Sequence, residues 1–470
     1  MTIQDSVFAL STLMGKSGVA VIRITGPDSL EALHNLGYKK NPIPRQATYT
    51  VLISPTTQEV LDEGIIIYFQ GPCSFTGEDS LELHLHGSIA VIRDVMEELG
   101  KLSFLRLAEP GEFTKRAFEN GKMDLTKVEA LSDLIDSETS IQRRIALQQL
   151  SGELKSLYDT WRQELIHTMA QLEAYIDFPE DDIPKAVLQS AESRVQKLTQ
   201  QIQHHLDVST ISNSLMEGIK IAIGGAPNAG KSSLLNLIAK QDVAIVSDLA
   251  GTTRDVIQVK LNLDGFSVIL ADTAGIREST NVIEQEGVNR AKLALRSADI
   301  NLIMLDLNEY DESFNFKTTM ESILCEVQAE HHKENIFLLN KCDLLDLSPV
   351  GANPKITSIT KYLISLGIKQ ERIILFSTQS RYNLHNLLQL LSQVIKGKYC
   401  VTTEPIITNI RQKQRLAECI NNLRMFSMDK PLELAAQDIR FAAKALEVIT
   451  GRIELDEVLN EIFSNFCIGK

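Results

Sequence analysis

The sequence comprises 470 residues, 44% of them hydrophobic and 23% charged, which indicates a folded chain that is too long for one hydrophobic core. Its formal net charge of −14 argues against a broad electrostatic surface for nucleic acid, so any RNA contact needs a local basic patch or a partner protein. Six scattered cysteines without a CxxC pair argue against zinc, and we expect a cytoplasmic protein without a membrane segment, because neither a signal-like N-terminus nor a bilayer-spanning apolar run is found.

The N-terminal part of the chain is predicted to contain β-strands. Short apolar segments such as VAVIRI, EGIIIYF and SLELHLH are separated by turn residues, and residues 1–121 are assigned to this first domain. Glu82, His84 and His86 alternate along the third segment. A metal-binding trio is one interpretation of them, although a solvent-facing strand is the simpler one.

The segment that follows has the periodicity of long amphipathic helices. Apolar residues recur at helical spacing from Val128 to Leu172 without a proline between them, which predicts the first part of a helical domain over residues 122–216. The pattern returns over residues 394–470, in three helix-like stretches that are each too short to form a core. The economical topology is one discontinuous helical domain with another domain inserted into it.

The inserted segment, residues 217–393, is predicted to be an α/β domain. Apolar strands such as IKIAIGG, INLIMLDL and NIFLLNK alternate with helical stretches, which is the signature of a mostly parallel sheet. The predicted fold class is therefore multidomain, with an α+β N-terminal domain, a discontinuous α-helical domain and an inserted α/β domain.

A phosphate-binding loop is predicted between the strand KIAIG and the helical run SSLLNLIAK. The segment GAPNAGKS, residues 225–232, fits the pattern GxxxxGK[ST] in the strand-to-helix context that this pattern requires. Lys231 offers a charge to the β and γ phosphates, and the Ser232 hydroxyl can ligate Mg²⁺. The predicted phosphate contacts are Asn228, Ala229, Gly230, Lys231, Ser232 and Ser233.

Two further motifs at strand ends complete a predicted GTP site in a Ras-like P-loop domain. The segment DTAG follows the strand SVILA, where its aspartate can hold the magnesium shell and its glycine N–H can sense the γ phosphate. The segment NKCD ends the strand NIFLL, and Asp343 can accept hydrogen bonds from the N1–H and the amino group of guanine, which adenine does not offer together. The predicted contacts are Asp272, Thr273, Ala274, Gly275, Asn340, Lys341, Asp343, Ser377 and Thr378.

The catalytic step is predicted to differ from that of Ras. The segment GTTRD is expected to be a mobile switch that supplies Thr253 to Mg²⁺, and Arg254 and Asp255 beside it are catalytic candidates. Ile276 follows the DTAG glycine, so the water-orienting glutamine of Ras is missing. The amide oxygen of Asn228 can instead help to coordinate a monovalent cation in place of an arginine finger.

These motifs resemble one family over nearly the full length of the chain. The resemblance rests on VAVIRITG, SFTGEDSLELHLHG, EPGEFTKRAFENGKMDLTKVEAL, GAPNAGKSSLLN, DLAGTTRD, DTAGIRE and the closing CIGK. The chain is similar to the bacterial and organellar tRNA modification GTPases of the MnmE (TrmE) family. With a flavin-dependent partner, these proteins add a carboxymethylaminomethyl group to C5 of the wobble uridine of certain tRNAs.

The resemblance implies cofactors and partners that spacing alone does not. It implies 5-formyl- or 5,10-methylene-tetrahydrofolate in the N-terminal domain, a homodimer through that domain, potassium-dependent hydrolysis, and a heterotetramer with two copies of the flavin partner that acts on tRNA. No GxGxxG fingerprint occurs in this sequence, which agrees with a flavin held by the partner. The folate contacts that the resemblance implies are Arg23, Glu82, Lys122 and Lys470. The potassium ligands that it implies are Asn228, Ser247, Leu249 and Thr252. It also implies Glu284 as the water-positioning acid and Cys467 as a functional candidate.

Two other functions stay open at this point. A ribosome-assembly or regulatory GTPase would share the nucleotide site, and stable ribosomal-subunit association without copurifying folate would indicate it. A GTPase on a membrane surface would need a basic amphipathic helix or a lipidation site, and neither is found. The local basic candidates for RNA, each also explained by a solvated helix face, are Lys115 with Arg116, Arg143 with Arg144, and Arg411 with Lys413 and Arg415.

Overall fold

The computed structural model describes residues 5–177, 185–209, 212–245, 258–272, 292–308, 333–345, 353–399 and 405–451, together with residues 462, 463, 466 and 469. The strands are β1 (Ser6–Leu10), β2 (Ser17–Thr25), β3 (Thr48–Ile53), β4 (Val60–Phe69), β5 (Ser80–Gly87), β6 (Leu105–Leu107), β7 (Ile219–Gly225), β8 (Gln258–Leu263), β9 (Phe266–Asp272), β10 (Ile300–Asp306), β11 (Glu334–Asn340) and β12 (Ile373–Leu375). The helices are α1 (Ser29–Asn35), α2 (Ile89–Gly100), α3 (Glu112–Glu119), α4 (Leu125–Ile135), α5 (Ser140–Leu150), α6 (Glu153–Asp177), α7 (Lys185–Val208), α8 (Ser212–Glu217), α9 (Lys231–Ala239), α10 (Pro354–Ser365), α11 (Leu384–Lys398), α12 (Ile410–Met425) and α13 (Leu432–Thr450).

The chain divides into two compact units. The first contains Met1–Ile135, Leu147–Leu206 and Asn409–Lys470, and the second contains Asp136–Ala146 and Asp207–Thr408. This division keeps the N-terminal sheet and the long helices together in one unit. The four domain bounds proposed from the sequence therefore stay a prediction.

The sheet of the first unit has the strand order β3-β4-β5-β2-β1-β6. Neighbouring strands are antiparallel except for β1 and β6, which are parallel. Alternate side chains of β2, namely Ala20, Ile22 and Ile24, are fully buried, and Leu33 of α1 and Val95 of α2 belong to the same core as the two isoleucines. The predicted β-containing N-terminal domain is confirmed.

Long helices form the rest of the first unit. Helix α6 packs against α13, and the Arg162–Glu447 ion pair joins them at 2.5 Å. Because α6 comes from the first predicted helical segment and α13 from the second, this packing confirms the discontinuous helical domain. Among the helices that the structure describes, none combines the length and hydropathy needed to cross a bilayer. The buried stripe of α6 is Leu154, Tyr158, Trp161, Leu165, Thr168 and Leu172.

A buried ion network lies at helix α3. Arg116 is 4% exposed, and it donates to Glu78 Oε2 at 3.1 Å and to Glu112 Oε1 at 2.8 Å. Burial alone would raise the pKa of Glu112, but hydrogen bonds from Arg106, from the Glu109 backbone and from Arg116 outweigh it and lower the pKa to about 2. The charge of Arg116 is therefore paired with buried carboxylates. Arg116 belongs neither to a basic surface patch nor to a solvated helix face.

Replacing Glu112 by Gln should destabilise the first unit by ~3 kcal/mol, because removing one partner of a buried pair leaves the other charge uncompensated. The pKa of Glu112 falls from 4.5 to about 2 on folding. The carboxylate therefore stabilises the fold fully above about pH 4.5, and this contribution is lost as the pH falls towards about 2. Thermal unfolding from pH 7 to pH 3 should show a stability gap between wild type and variant that narrows in acid. A gap of constant size would contradict the pairing.

Arg411 is also engaged inside the first unit. Its Nε donates to Glu129 Oε1 at 2.8 Å, and its terminal nitrogens donate to the carbonyl oxygens of Val448 and Ile449 at 3.0 and 3.1 Å. These contacts satisfy two of the last carbonyl groups of α13, which have no partner within the helix. Arg411 is thus a structural residue rather than part of an RNA-binding patch.

The sheet of the second unit has the strand order β12-β11-β10-β7-β9-β8. All neighbouring strands are parallel except β8, which is antiparallel to β9. Strand β10 is buried at every position, as expected for a parallel strand that is covered on both faces. The predicted inserted α/β domain is confirmed. Its central strand β7 lies where the strand order reverses, and open α/β sheets bind ligands at the carboxyl end of the strands there.

Residues 136–146 pack on this second sheet although their periodicity resembles that of the helical segment around them. The backbone N–H of Ile141 donates to Gly265 O at 3.3 Å, and Gln142 Nε2 donates to Met216 O at 2.7 Å. Hydrophobic spacing indicates that a helix has a buried face, but it does not indicate which core covers that face.

Candidate functional site

The predicted phosphate loop connects β7 to helix α9. Lys231 begins α9, is 7% exposed, and donates from Nζ to the carbonyl oxygens of Gly225 and Ala226 at 2.9 and 2.8 Å. The loop passes close to strand β10, and a Cβ on Gly225 would collide with the carbonyl oxygen of Met304 in that strand. Only glycine allows this approach. The described loop residues Asn228, Ser232 and Ser233 are exposed.

The NKCD motif lies at the carboxyl end of β11 and contacts the phosphate loop. Asn340 is fully buried, its Nδ2 donates to Ala229 O at 2.7 Å, and its Oδ1 accepts from the backbone N–H of Thr378 at 3.2 Å. Ser377 Oγ donates to Asp343 Oδ1 at 2.5 Å, and Asp343 is exposed. The structure therefore brings together three segments that are distant in sequence: the predicted phosphate loop, the NKCD motif and the Ser377 loop.

Of the DTAG motif, the structure describes only the backbone of Asp272. Asp272, the first residue of the DTAG motif, ends β9 and is paired in register with Ile223 of β7. The motif therefore begins on the strand next to the one that leads into the predicted phosphate loop. The side chain of Asp272 belongs to the part of the chain that is not described. Also outside the described residues lie Ser247, Leu249, Thr252, Thr253, Arg254, Asp255, Thr273, Ala274, Gly275, Ile276, Glu284, Cys467 and Lys470.

A second polar site lies on the first sheet, on the side of β2 and β5 that faces away from the isoleucines. Arg23 and Glu82 are direct cross-strand partners, and Arg23 Nε and Nη2 donate to Glu82 Oε1 at 3.1 and 2.9 Å. The guanidinium also lies 5.4 Å from the ring centre of Phe75 and 5.7 Å from that of Phe113. Ring nitrogen Nε2 of His84 is 3.2 Å from Glu82 Oε2.

Lys122 is the third predicted folate contact that the structure describes. Its Nζ donates to Pro72 O at 2.8 Å, and its methylene groups pass the Gly77 turn. The segment between Pro72 and Gly77 carries Phe75, whose ring contacts Arg23. Lys122 therefore supports the loop beside the Arg23–Glu82 pair, but no direct contact between Lys122 and either residue is seen in the described part of the chain.

The alternative of a metal trio on β5 is not supported. His84 faces Glu82, whereas His86 lies 2.8 Å from Asp62 on the neighbouring strand, and this hydrogen bond raises the pKa of His86. Within the described residues, no group of three or more His, Cys, Asp or Glu side chains is arranged to hold a metal ion. The histidines are thus partners of carboxylates.

Sequence reasoning missed several contacts in both sites. Phe75 and Phe113 lie in segments that were noted only for their motifs, and only the fold brings their rings to the guanidinium of Arg23, a predicted folate contact. Asp306 ends β10 and pairs with Lys341 of the NKCD motif at 2.5 Å. The position of Asp306 at the end of a buried apolar strand, level with two predicted site strands, was an available signal for this residue.

Comparisons with known proteins identify relatives of the whole chain. A family model described as the MnmE helical domain matches residues 125–467, and one described as the GTP-binding protein TrmE N-terminus matches residues 6–122. The "tRNA modification GTPase MnmE" of Rickettsia akari is 42% identical over 467 residues, which cover 99% of this chain and 100% of the relative. The protein of the same name from Wolbachia sp. subsp. Brugia malayi is 41% identical over 475 residues and covers 100% of both chains.

Among solved structures, Aquifex aeolicus Era bound to GDP·AlF4⁻ has 24% sequence identity and a TM-score of 0.29. The similar region covers 45% of this chain and 69% of the Era chain. A similarity of this extent carries no argument about function.

Proposed function

The chain belongs to the MnmE (TrmE) family of tRNA modification GTPases, and from this premise we propose that it is the GTP-hydrolysing component of a complex that modifies the wobble uridine of certain tRNAs. The observation that carries the proposal is the 42% identity over 99% of the chain, which includes the sheet, the helices and the nucleotide loops alike. Binding of GTP is further supported by the contacts among the phosphate loop, the NKCD motif and Ser377.

The proposed product is tRNA with a carboxymethylaminomethyl group at C5 of the wobble uridine. A tetrahydrofolate derivative bound by this chain would supply the carbon unit, and a flavin-dependent partner would supply the redox chemistry. We propose a homodimer that binds two copies of this partner in the cytoplasm. Hydrolysis of GTP would then drive a conformational change within the assembly.

Mass spectrometry of tRNA nucleosides from cells that lack this protein tests the proposed function. The modified uridine should be absent, and a plasmid carrying the wild-type gene should restore it. A Lys231→Ala plasmid should not restore it, because the variant lacks the charge proposed to bind the phosphates. Modified uridine at the wild-type level in cells without the protein would refute the proposal.

The magnesium and potassium sites are proposed on chemical grounds. Ser232, an exposed residue in the first turn of α9, carries a hydroxyl group of the kind that ligates magnesium beside phosphates, with Thr253 as the second proposed ligand. The side-chain oxygen of Asn228 fits a potassium ligand, together with Ser247, Leu249 and Thr252. Bound magnesium would polarise the phosphate oxygens, and the chain would hold it through these hydroxyl groups.

The folate site is proposed at the Arg23–Glu82 pair. A pterin, like guanine, presents an N–H and an NH2 group side by side, and a carboxylate can accept a hydrogen bond from each. Two Arg23 nitrogens donate to Oε1 of Glu82 and His84 lies at Oε2, so one acceptor site is left on Oε2, and a pterin that donates to both oxygens must displace one of the Arg23 contacts. Lys122 and Lys470 are the proposed contacts for the remainder of the ligand.

Replacing Glu82 by Ala should weaken 5-formyl-tetrahydrofolate binding about 100-fold or more, because two hydrogen bonds to a charged group are lost. Basal GTP hydrolysis should be nearly unchanged, since Glu82 and the nucleotide loops belong to different compact units. Titration calorimetry of the full chain measures the first effect, with Glu59→Ala, an exposed glutamate in the loop between β3 and β4, as the matched control. Equal folate affinity in wild type and the Glu82 variant would contradict the assignment.

A further inference from the structure

Asp306, the last residue of β10, contacts Lys341 of the NKCD motif. Its side chain is 3% exposed, Oδ2 lies 2.5 Å from Nζ of Lys341, and Oδ1 accepts a hydrogen bond from the backbone N–H of Asn308 at 2.9 Å. Contacts to both oxygens hold the carboxylate in one orientation. A buried carboxylate is costly without a charged partner, so the Lys341 ammonium is strongly favoured at this position.

The sheet register explains why the two residues meet. Strands β10 and β11 are parallel, and Asp306 is the Cα partner of Asn340. Lys341 follows with a φ of 64°, a left-handed conformation that is costly for a residue with a Cβ and persists only where the surrounding contacts compensate for it. The contact of Asn340 with Ala229 O on one side and that of Lys341 with Asp306 on the other supply such compensation.

We propose that Asp306 is a positioning residue of the guanine-nucleotide site. It holds the Lys341 ammonium, so that the methylene stem of this lysine forms a fixed wall for the guanine ring beside Asp343. This inference rests on the proposed base site at Asp343. A free lysine side chain loses much rotamer freedom when it is ordered, and the ion pair with Asp306 removes most of that loss before the nucleotide binds.

A positioning role for Asp306 predicts a specific coupling between Asp306 and Lys341. In the full chain, Asp306→Asn should raise the Kd for fluorescently labelled GDP about 10-fold, chiefly through faster dissociation. In a Lys341→Met background, the same substitution should change the Kd less than about 2-fold, because the side chain that it positions is gone. Lys341→Met alone should also weaken binding, since its stem is of similar length but is no longer held.

A purely structural role for Asp306 predicts a different pattern. It would damage the strand end in both backgrounds, so the Kd would rise by the same factor with and without Lys341. That result, or a wild-type Kd for Asp306→Asn, would overturn the proposal. Should Asp306→Asn not fold, a wild-type Kd for Lys341→Met would overturn it as well.

Two further variants show whether a change in Kd comes from Asp306, from general damage to the sheet, or from the proposed base site. Glu334→Gln removes the 2.9 Å ion pair with Arg372 at the opposite end of the same strand, β11, and should leave the Kd unchanged. Asp343→Asn tests the base site itself. If Asp343→Asn keeps its preference for GTP, the proposed base site fails, whereas a loss of that preference beside an unchanged Asp306 variant refutes only the role of Asp306.

Discussion

Replacing Asp343 by Asn should weaken GTP binding by ~10³-fold or more and make xanthosine triphosphate the better ligand. The carboxylate is exposed and accepts one hydrogen bond, from Ser377 Oγ at 2.5 Å, so acceptor capacity is left for a base. A carboxylate only accepts hydrogen bonds and matches the N1–H and the amino group of guanine. Asparagine also donates, and xanthine offers a carbonyl oxygen where guanine has its amino group, so the variant matches xanthine.

The measurement is kcat/KM for GTP and for xanthosine triphosphate in the full chain, with both nucleotides competing. Asp242→Asn, at an exposed position in the turn after α9, is a matched control that removes the same charge and should keep the wild-type preference. An Asp343 variant that still prefers GTP would show that guanine is recognised elsewhere.

Exchanging potassium for sodium at matched ionic strength should slow single-turnover GTP hydrolysis by ~10³-fold, the usual loss when a finger-like charge is removed. Asn228 is exposed and has a φ of 62°, a left-handed conformation at the turn of the phosphate loop. Its neighbour Ala229 is fixed through its carbonyl oxygen by Asn340. The backbone next to Asn228 is held in this way, and we expect the Asn228 amide oxygen to hold a cation beside the β and γ phosphates, where charge develops as the bond breaks.

Variants separate the cation from the proposed water-positioning acid. Asn228→Ala should remove the difference between potassium and sodium, whereas Asn236→Ala, an exposed asparagine of α9, should preserve it. Glu284→Ala should bind GTP normally and hydrolyse it slowly in either salt. Equal wild-type rates in the two salts would refute the role of the cation, and a wild-type rate for the Glu284 variant would refute that of the acid.

The sequence predicts the fold class well because each element carries its own signal. The phosphate loop occupies eight consecutive residues between a strand and a helix, and the parallel strands are recognisable as apolar runs. The discontinuous helical domain could be predicted because the three helical stretches of residues 394–470 are each too short to form a core alone. Local patterns of this kind indicate which face of each helix or strand is buried, and these buried faces determine how helices and sheets pack into layers.

Partnerships between distant residues could not be predicted in the same way. Glu112 and Arg116 have the spacing of an ordinary surface pair on a helix, and only the fold shows that Glu78, 38 positions from Arg116, completes a buried network around them. Asp306 and Lys341 are 35 positions apart, and their contact depends on the register of two parallel strands. A register of this kind is set by the whole sheet, and no short sequence window contains it.

The close approach of Gly230 to Asn340 also constrains how this protein can evolve. A Cβ on Gly230 would collide with the Asn340 amide, and the φ of 104° at Gly230 disfavours any residue with a Cβ, so glycine is required at this position. A residue at 340 that is shorter than asparagine would lose the hydrogen bonds to Ala229 and Thr378, which join the predicted phosphate loop to the NKCD motif and the Ser377 loop. A single substitution at either position should therefore loosen two segments whose contacting residues, Ala229 and Asn340, lie 111 positions apart in the chain.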